Sequence, residues 1–244
     1  MTQLTEGELA LGVRALCRRD AHLARVVERF GPPPLWAREP GFATLVQIIL
    51  EQQVSLASAR AALGRLALAS GGVTPERLAV ASDGTFVGAG LTRQKTAYIR
   101  ALARAIDEGS FDLERVSTLA DAEAHRELVT LKGIGAWSAD IYLLMALGRP
   151  DVWPGHDLAL AVAMREVKRL RNVPGPERQI EISEPWRPWR AVAARILWHH
   201  YLSRPRPRAS ATLARPGEPD EMHRARRKRD VHGGGDDSIT MRLV

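Results

Sequence analysis

Leu131-Lys132-Gly133-Ile134-Gly135-Ala136-Trp137-Ser138-Ala139-Asp140 sets two glycines one residue apart, and a second apolar run follows over 141–147. The spacing predicts a helix, a tight glycine hairpin and a second helix. Glycines leave hairpin amides uncovered. Uncovered N–H groups beside a helix N-terminus hold an anion such as a DNA phosphate without reading a base. Lys132, Gly133, Ile134, Gly135 and Ala136 are therefore candidate backbone-level contacts to DNA. Asp157 follows beyond Pro154-Gly155-His156. A phosphate grip near a single carboxylate suits an enzyme acting on a nucleotide. The competing reading of Asp157 is a helix N-cap, a common use of aspartate, and the two roles are compatible.

The elements that must position these residues are helical. Thr5-x-x-Glu8 is a capping box for a helix to about residue 19. A second helix over 21–30 is stopped by Gly31-Pro32-Pro33-Pro34. Residues 42–50 are apolar, and 55–68 have helical spacing with many alanines. Thr74-Pro75-Glu76 is a cap with proline in the first turn, and Thr92 caps a helix over 93–108 closed by Gly109. Further helices are predicted over 121–131, 157–169 and 186–201. No run alternates with period two, so no strand is expected and the body reads as all-α. Beyond residue 202 come Arg204-Pro205-Arg206-Pro207-Arg208, a basic run over 224–229 and Gly233-Gly234-Gly235. Such composition does not repay the entropy of ordering. The expected organisation is a helical domain over 1–203, with its hairpin motif at about 121–147, and a disordered tail over 204–244.

Composition excludes several classes. A single cysteine, Cys17, rules out an internal disulfide, a Cys-ligated zinc and a four-cysteine iron–sulfur cluster; on its amphipathic helix it reads as core. No run of 18 uncharged apolar residues occurs, and Met1-Thr2-Gln3-Leu4 lacks a basic-then-apolar leader, so a cytoplasmic location without membrane contact is expected. The net charge of +7 hints at nucleic acid. Residues 204–244 carry +4 of it, however, and only four of the 35 basic residues are lysine, a skew that genomic base bias would produce. Adjacent His199 and His200 would point about 100° apart on a helix and make a poor chelate.

The hairpin joins three other blocks: Ile48-Ile49-Leu50-Glu51-Gln52-Gln53-Val54-Ser55, Asp151-Val152-Trp153-Pro154-Gly155-His156-Asp157, and Trp186-Arg187-Pro188-Trp189-Arg190 through Trp198. In this order they resemble the helix-hairpin-helix DNA glycosylase superfamily, and within it the 3-methyladenine DNA glycosylase II, or alkylbase glycosylase, type. The resemblance implies a two-lobed all-α fold without an N-terminal β-rich domain, the hairpin in one lobe and the terminal helices in the other. It also implies a monomer acting on double-stranded DNA with damaged bases, in the bacterial cytosol or nucleoid, without a cofactor. Asp157 becomes the catalytic carboxylate, stabilising positive charge on the sugar or activating water. The position where bifunctional relatives carry a nucleophilic lysine is Trp137, and Lys132 lies on the other side of the glycines, in the turn, so a monofunctional enzyme leaving an abasic site is implied.

A paired base must be rotated out of the helix before an acid can reach its sugar. The resemblance places the plug for the resulting gap in Gln52-Gln53-Val54, with Gln53 at the wedge; the bland alternative is an ordinary polar interhelix turn. Trp198 and Trp137 match pocket aromatics able to receive a cationic N-alkylpurine. Tyr142 is a third candidate, although the family's tyrosine position falls on Ile141. Trp186 and Trp189 read as packing residues. His156 either lines the site or faces solvent. The resemblance further implies a monovalent cation at the backbone carbonyls of Leu131, Gly133 and Ile134. Two function classes result: a glycosylase of alkylated purines, and a non-catalytic lesion-binding protein that kept the hairpin. A bifunctional lyase is the weaker third.

Overall fold

The computed structural model describes residues 3–204. Arg204 apart, the expected tail therefore lies outside the described residues. No β-strand occurs among the described residues. The chain opens with α1 (Glu6–Arg19) and α2 (Ala21–Phe30). The capping box forms as the sequence predicts: Glu8 N donates to Thr5 Oγ1 at 3.3 Å, and Thr5 N donates to the Glu8 carboxylate at 3.1 Å. An irregular segment leads to α3 (Phe42–Glu51), α4 (Leu56–Ser70), α5 (Pro75–Val80), α6 (Asp83–Gly88), α7 (Arg93–Asp107), α8 (Leu113–Thr118), α9 (Asp121–Val129) and α10 (Ala136–Ile141). A π-helical turn, Tyr142–Ala146, continues α10. After a loop come α11 (Leu158–Lys168), α12 (Pro176–Ser183) and α13 (Arg190–Ser203).

Two lobes result. Helices α3 to α10 pack among themselves, chiefly α3 on α4 and α7, α5 on α7, and α9 on α10. The first and last described helices close the second lobe, where α1, α2, α11 and α13 pack together. Apolar residues of α3 and α13 are almost wholly buried, so these two helices form the centre of a core that spans both lobes. Arg195 on α13 is buried with its guanidinium donating to the carbonyls of Leu35, Leu144 and Ala191. It thereby ties α13 to the π-helical turn, and burial lowers its pKa to about 10, which still leaves it charged at neutral pH. No helix among the described residues is long and apolar enough to cross a membrane.

Two expectations change. The last helix begins at Arg190, not Trp186, because Pro188 cannot donate a helical hydrogen bond and keeps Arg187 out of helical backbone. Arg187 is extended (φ −55°, ψ 140°), and Trp186 ends a separate 3₁₀ turn. The short helices α6, α8 and α12 lie outside the helices the sequence predicts: at six to eight residues each is too short to show helical periodicity, although Ser82, Asp112 and Pro176 mark their starts.

Candidate functional site

Asp157 sits at the N-cap of α11 with extended backbone (φ −86°, ψ 114°). Its Oδ1 accepts from Leu160 N at 2.8 Å, which is the capping bond. The cap reading and the site reading therefore hold for the same residue. Two indoles complete its surroundings: Trp137 Nε1 donates to Oδ2 at 3.0 Å and Trp198 Nε1 to Oδ1 at 3.3 Å. The carboxylate is only 1 % exposed. Burial pushes its pKa above the ordinary carboxylate range, and the Leu160, Trp137, Trp198 and Ala159 donors pull it only part of the way back. Asp157 makes no ion pair among the described residues. It lies on the wall of an open hollow of about 470 Å³ with Trp137, His156, Leu158, Gly135 and Gln53.

The hairpin forms the neighbouring wall. Ile134 N donates to Leu131 O at 3.0 Å, closing the turn around Gly133 at φ +90°. A Cβ on Gly133 would lie 2.3 Å from Cγ of Tyr98 on α7, so both the backbone angle and the close approach require glycine. Gly135 is the N-cap of α10 and brings no capping side chain, which leaves the first-turn amides open to an external acceptor. Lys132 and Gly135 are exposed. They line or adjoin a second hollow of about 570 Å³ that runs between the hairpin and the first turn of α7.

The turn from α3 to α4 separates the two hollows, and Gln52 and Gln53 line both. Val54 N donates to Glu51 O at 3.4 Å, with Gln52 at φ −58°, ψ 123° and Gln53 at φ +60°. This is the backbone of a type II turn, which ordinarily takes glycine or asparagine where Gln53 stands. A left-handed non-glycine residue costs about 1–2 kcal/mol. Three sets of contacts fix the turn. Gln52 Nε2 donates to Gly133 O at 2.9 Å and to Ser138 Oγ at 3.0 Å, joining it to the hairpin. Lys95 Nζ of α7 donates to Leu50 O at 2.7 Å and to Gln52 O at 2.9 Å. Arg38 Nη1 and Gln47 Nε2 each hold the buried Glu51 carboxylate at 2.9 Å.

The structure thus brings Asp157, Trp137, His156, Gln53 and the hairpin together. Trp198 is adjacent but placed differently from the sequence expectation. It is 1 % exposed and lies behind the carboxylate, so it offers Asp157 a donor and the hollow no ring face. Tyr142 lies outside the hollow. It points toward the start of α3, where its hydroxyl accepts from Gly41 N at 3.0 Å. Gln52 is committed to the hairpin and Ser138 to Gln52. The adjacent histidines have separate partners, Phe30 O for His199 and Glu166 for His200. Of the expected cation donors, Leu131 O and Gly133 O already accept from Ile134 N and Gln52 Nε2, leaving each its second lone pair. Lys95 was missed by the sequence reading. Its rarity is a signal: lysine is scarce in this arginine-rich chain, and another of the few, Lys168, also makes a specific, partly buried contact.

Comparison with known proteins identifies the family. The family described as "HhH-GPD superfamily base excision DNA repair protein" matches residues 46–188. DNA-3-methyladenine glycosylase 1 of Schizosaccharomyces pombe is 26% identical over 202 residues, covering 81% of this chain and 88% of that protein. The solved structure of that yeast enzyme (Mag1) in complex with abasic DNA aligns with a TM-score of 0.71 over 77% of this chain and 94% of the other. A DNA-3-methyladenine glycosidase from Bacillus halodurans aligns with a TM-score of 0.68 at 28% identity, over 79% and 89% of the two chains. DNA-3-methyladenine glycosylase 2 of Escherichia coli is 28% identical over 188 residues, 70% of this chain and 63% of that protein.

Proposed function

The chain belongs to the HhH-GPD superfamily of base excision DNA repair proteins, and we propose that it is a monofunctional glycosylase that hydrolyses the N-glycosidic bond of alkylated purines of the 3-methyladenine and 7-methylguanine type. The observation that carries this reading is the carboxylate of Asp157 on the wall of a hollow, beside an indole and a backbone hairpin. In the reaction the bond from C1′ to the base nitrogen breaks and its electron pair leaves with the base. An N-alkylated purine is cationic and departs neutral, so no acid need protonate it. The ionised Asp157 stabilises the positive charge that grows on the sugar, and accepts a proton from the water that attacks C1′.

Trp137 is the aromatic wall of this reading. Its Nε1–H is bonded to Asp157. What remains for the everted base is the ring face, to which a cationic purine is drawn beyond ordinary stacking. The hairpin amides around Gly133, Gly135 and Ala136 grip the DNA backbone, with exposed Lys132 and His156 close by. Gln53 is the wedge, a polar amide able to bond to the base left without a partner. The carbonyls of Leu131, Gly133 and Ile134 are hard oxygen donors that suit a monovalent cation, whose charge would strengthen that grip when bound. A cytosolic or nucleoid location follows from action on DNA. No lysine stands where bifunctional relatives carry their nucleophile, so the product is an intact strand with an abasic site.

A duplex bearing one methylated purine tests this directly. Free base should be released, with strand breaks appearing only after alkali. Breaks without alkali, or a borohydride-trapped adduct, would make the enzyme a lyase. Tight, salt-sensitive binding with no base release would make it a lesion-binding protein.

A further inference from the structure

We propose that Lys95 is the positioning residue of the wedge: its ammonium holds the 51–54 turn in the conformation that stands Gln53 between the two hollows, and so sets how readily a paired base is everted. The inference rests on the glycosylase reading above and assigns a role to a residue that does no chemistry in it.

The turn is strained at Gln53, where φ is +60° and no glycine relieves it. Such a conformation persists only where the surroundings over-determine it. The C-terminus of α3 supplies part of the need, because its last carbonyls have no helical partner. Lys95 meets that need from outside. It crosses from the first turn of α7 to donate to Leu50 O on the helix and to Gln52 O inside the turn. The two bonds bracket the turn that carries Gln53. The cation also lies at the negative end of the α3 dipole.

Lys95 makes no ion pair among the described residues. It is half-buried, and burial lowers its pKa below the ordinary lysine value. An unpaired, partly desolvated ammonium would be a poor choice for surface solubility, and its contacts are with backbone alone. A third N–H remains, and the side chain lines the hollow on the far side of the wedge from Asp157. Gln52 Nε2, bonded to Gly133 O, ties the same turn to the phosphate grip. Wedge and grip are therefore held as one unit, with Lys95 as its fastening to α7.

The test compares single-turnover base release from two duplexes of full-length enzyme: one with the methylated purine paired, the other with it facing an abasic analogue. Eversion is cheaper in the second, where no pair opposes it. Lys95→Met should slow release from the paired substrate by about five- to thirtyfold, the left-handed cost expressed as an equilibrium ratio. Release from the unpaired substrate should change little. Lys95→Arg, which can still donate to both carbonyls, should keep the paired rate. Adding Gln53→Asn to Lys95→Met should restore part of it, because asparagine tolerates left-handed backbone better than glutamine. If Lys95→Met melts below the assay temperature, Lys95→Gln is read in its place. An equal loss on both substrates, an unchanged paired rate, or no rescue by Gln53→Asn would overturn the proposal. A wild-type enzyme that releases base from neither duplex would instead overturn the glycosylase reading.

Discussion

Two aspartates in this protein occupy almost the same local structure. Asp20 caps α2 and Asp157 caps α11, each with extended backbone and each accepting its helix's amides. Each is buried, and each takes an indole N–H: Trp186 for Asp20 at 2.8 Å, Trp137 and Trp198 for Asp157. Two things differ: Asp20 is less deeply buried, 9 % exposed against 1 % for Asp157, and it has a cation beside it. Lys168 Nζ lies 2.8 Å from Asp20 Oδ2 and over the Trp186 ring. Burial alone would raise the Asp20 pKa, but the Lys168 and Trp186 hydrogen bonds, the Lys168 charge and the His22 amide together bring it below the ordinary value. Asp157 has only neutral donors, and its pKa stays raised. Lys168 ends the same helix whose first turn Asp157 caps, about 16 Å away at 1.5 Å per residue. A carboxylate already neutralised by lysine would have little left to offer a developing sugar cation. One that is held by indoles and amides alone keeps its charge available.

Removing the Asp157 carboxylate and the Asp20 cation should separate these roles. Asp157→Asn should lower base release by about 10³-fold while duplex binding persists. Its stability should move the other way. A carboxyl whose folded pKa is raised stabilises the fold fully only below its unfolded pKa, and that contribution is lost as pH rises through the folded value. At pH 7.5 the ionised Asp157 therefore weighs against folding, and the melting temperature of Asp157→Asn should not fall below wild type. Lys168→Met should do the reverse: a loss of about 2 kcal/mol in denaturant unfolding, from an Asp20 left without its cation, and unchanged release per folded molecule. Acid should expose the same contrast. Asp20, with its lowered pKa, supports the fold above its unfolded pKa and gives way only as pH falls through the folded value, whereas Asp157 protonates at higher pH. Base release should therefore fade on acidification while circular dichroism and duplex binding are still intact.

Much of this was legible in the sequence, for identifiable reasons. The Thr5 and Thr92 caps, the glycine hairpin and the Asp157 cap are local, so residue types within four positions specify them. The two-lobed helical arrangement followed from the resemblance. What could not be read was which way large side chains face. Trp198 and Tyr142 sit on helices buried all round, where neither spacing nor hydrophobicity distinguishes a ring facing a hollow from one facing the core. Tyr142 faces Gly41 across 101 residues of chain, a pairing that no local pattern announces. The Lys95 contacts span 43 and 45 residues, beyond any local pattern.

Asp140 on α10 is a second acid raised by burial, to about 7, with Arg190 pulling it part of the way back. His125 Nε2 is 3.5 Å from its Oδ1, too long for a hydrogen bond to hold it ionised. By the same sign as Asp157, its contribution to stability is complete below its ordinary pKa of 3.8 and is lost as pH rises through about 7. Asp140→Asn should therefore be more stable than wild type at pH 8, by up to about 4 kcal/mol, and little more stable at pH 4. Equal gains at both pH values would mean that packing, not charge, is responsible.

The two indoles on Asp157 permit the finest division. Each N–H favours the ionised carboxylate, so removing either should raise its pKa further and move the acid limb of base release to higher pH. Trp137 donates at 3.0 Å and Trp198 at 3.3 Å, so Trp137→Phe should give the larger shift, on the order of half a pH unit. Stability should rank them oppositely. Trp198 is fully buried, and its replacement by phenylalanine leaves a cavity, whereas half-exposed Trp137 can be trimmed at small cost. Paired pH–rate profiles and melting curves should therefore cross: Trp137→Phe displaced in pH and near wild type in melting, Trp198→Phe the reverse. Identical displacement in pH would mean that both rings act through desolvation of the carboxylate and not through their donors.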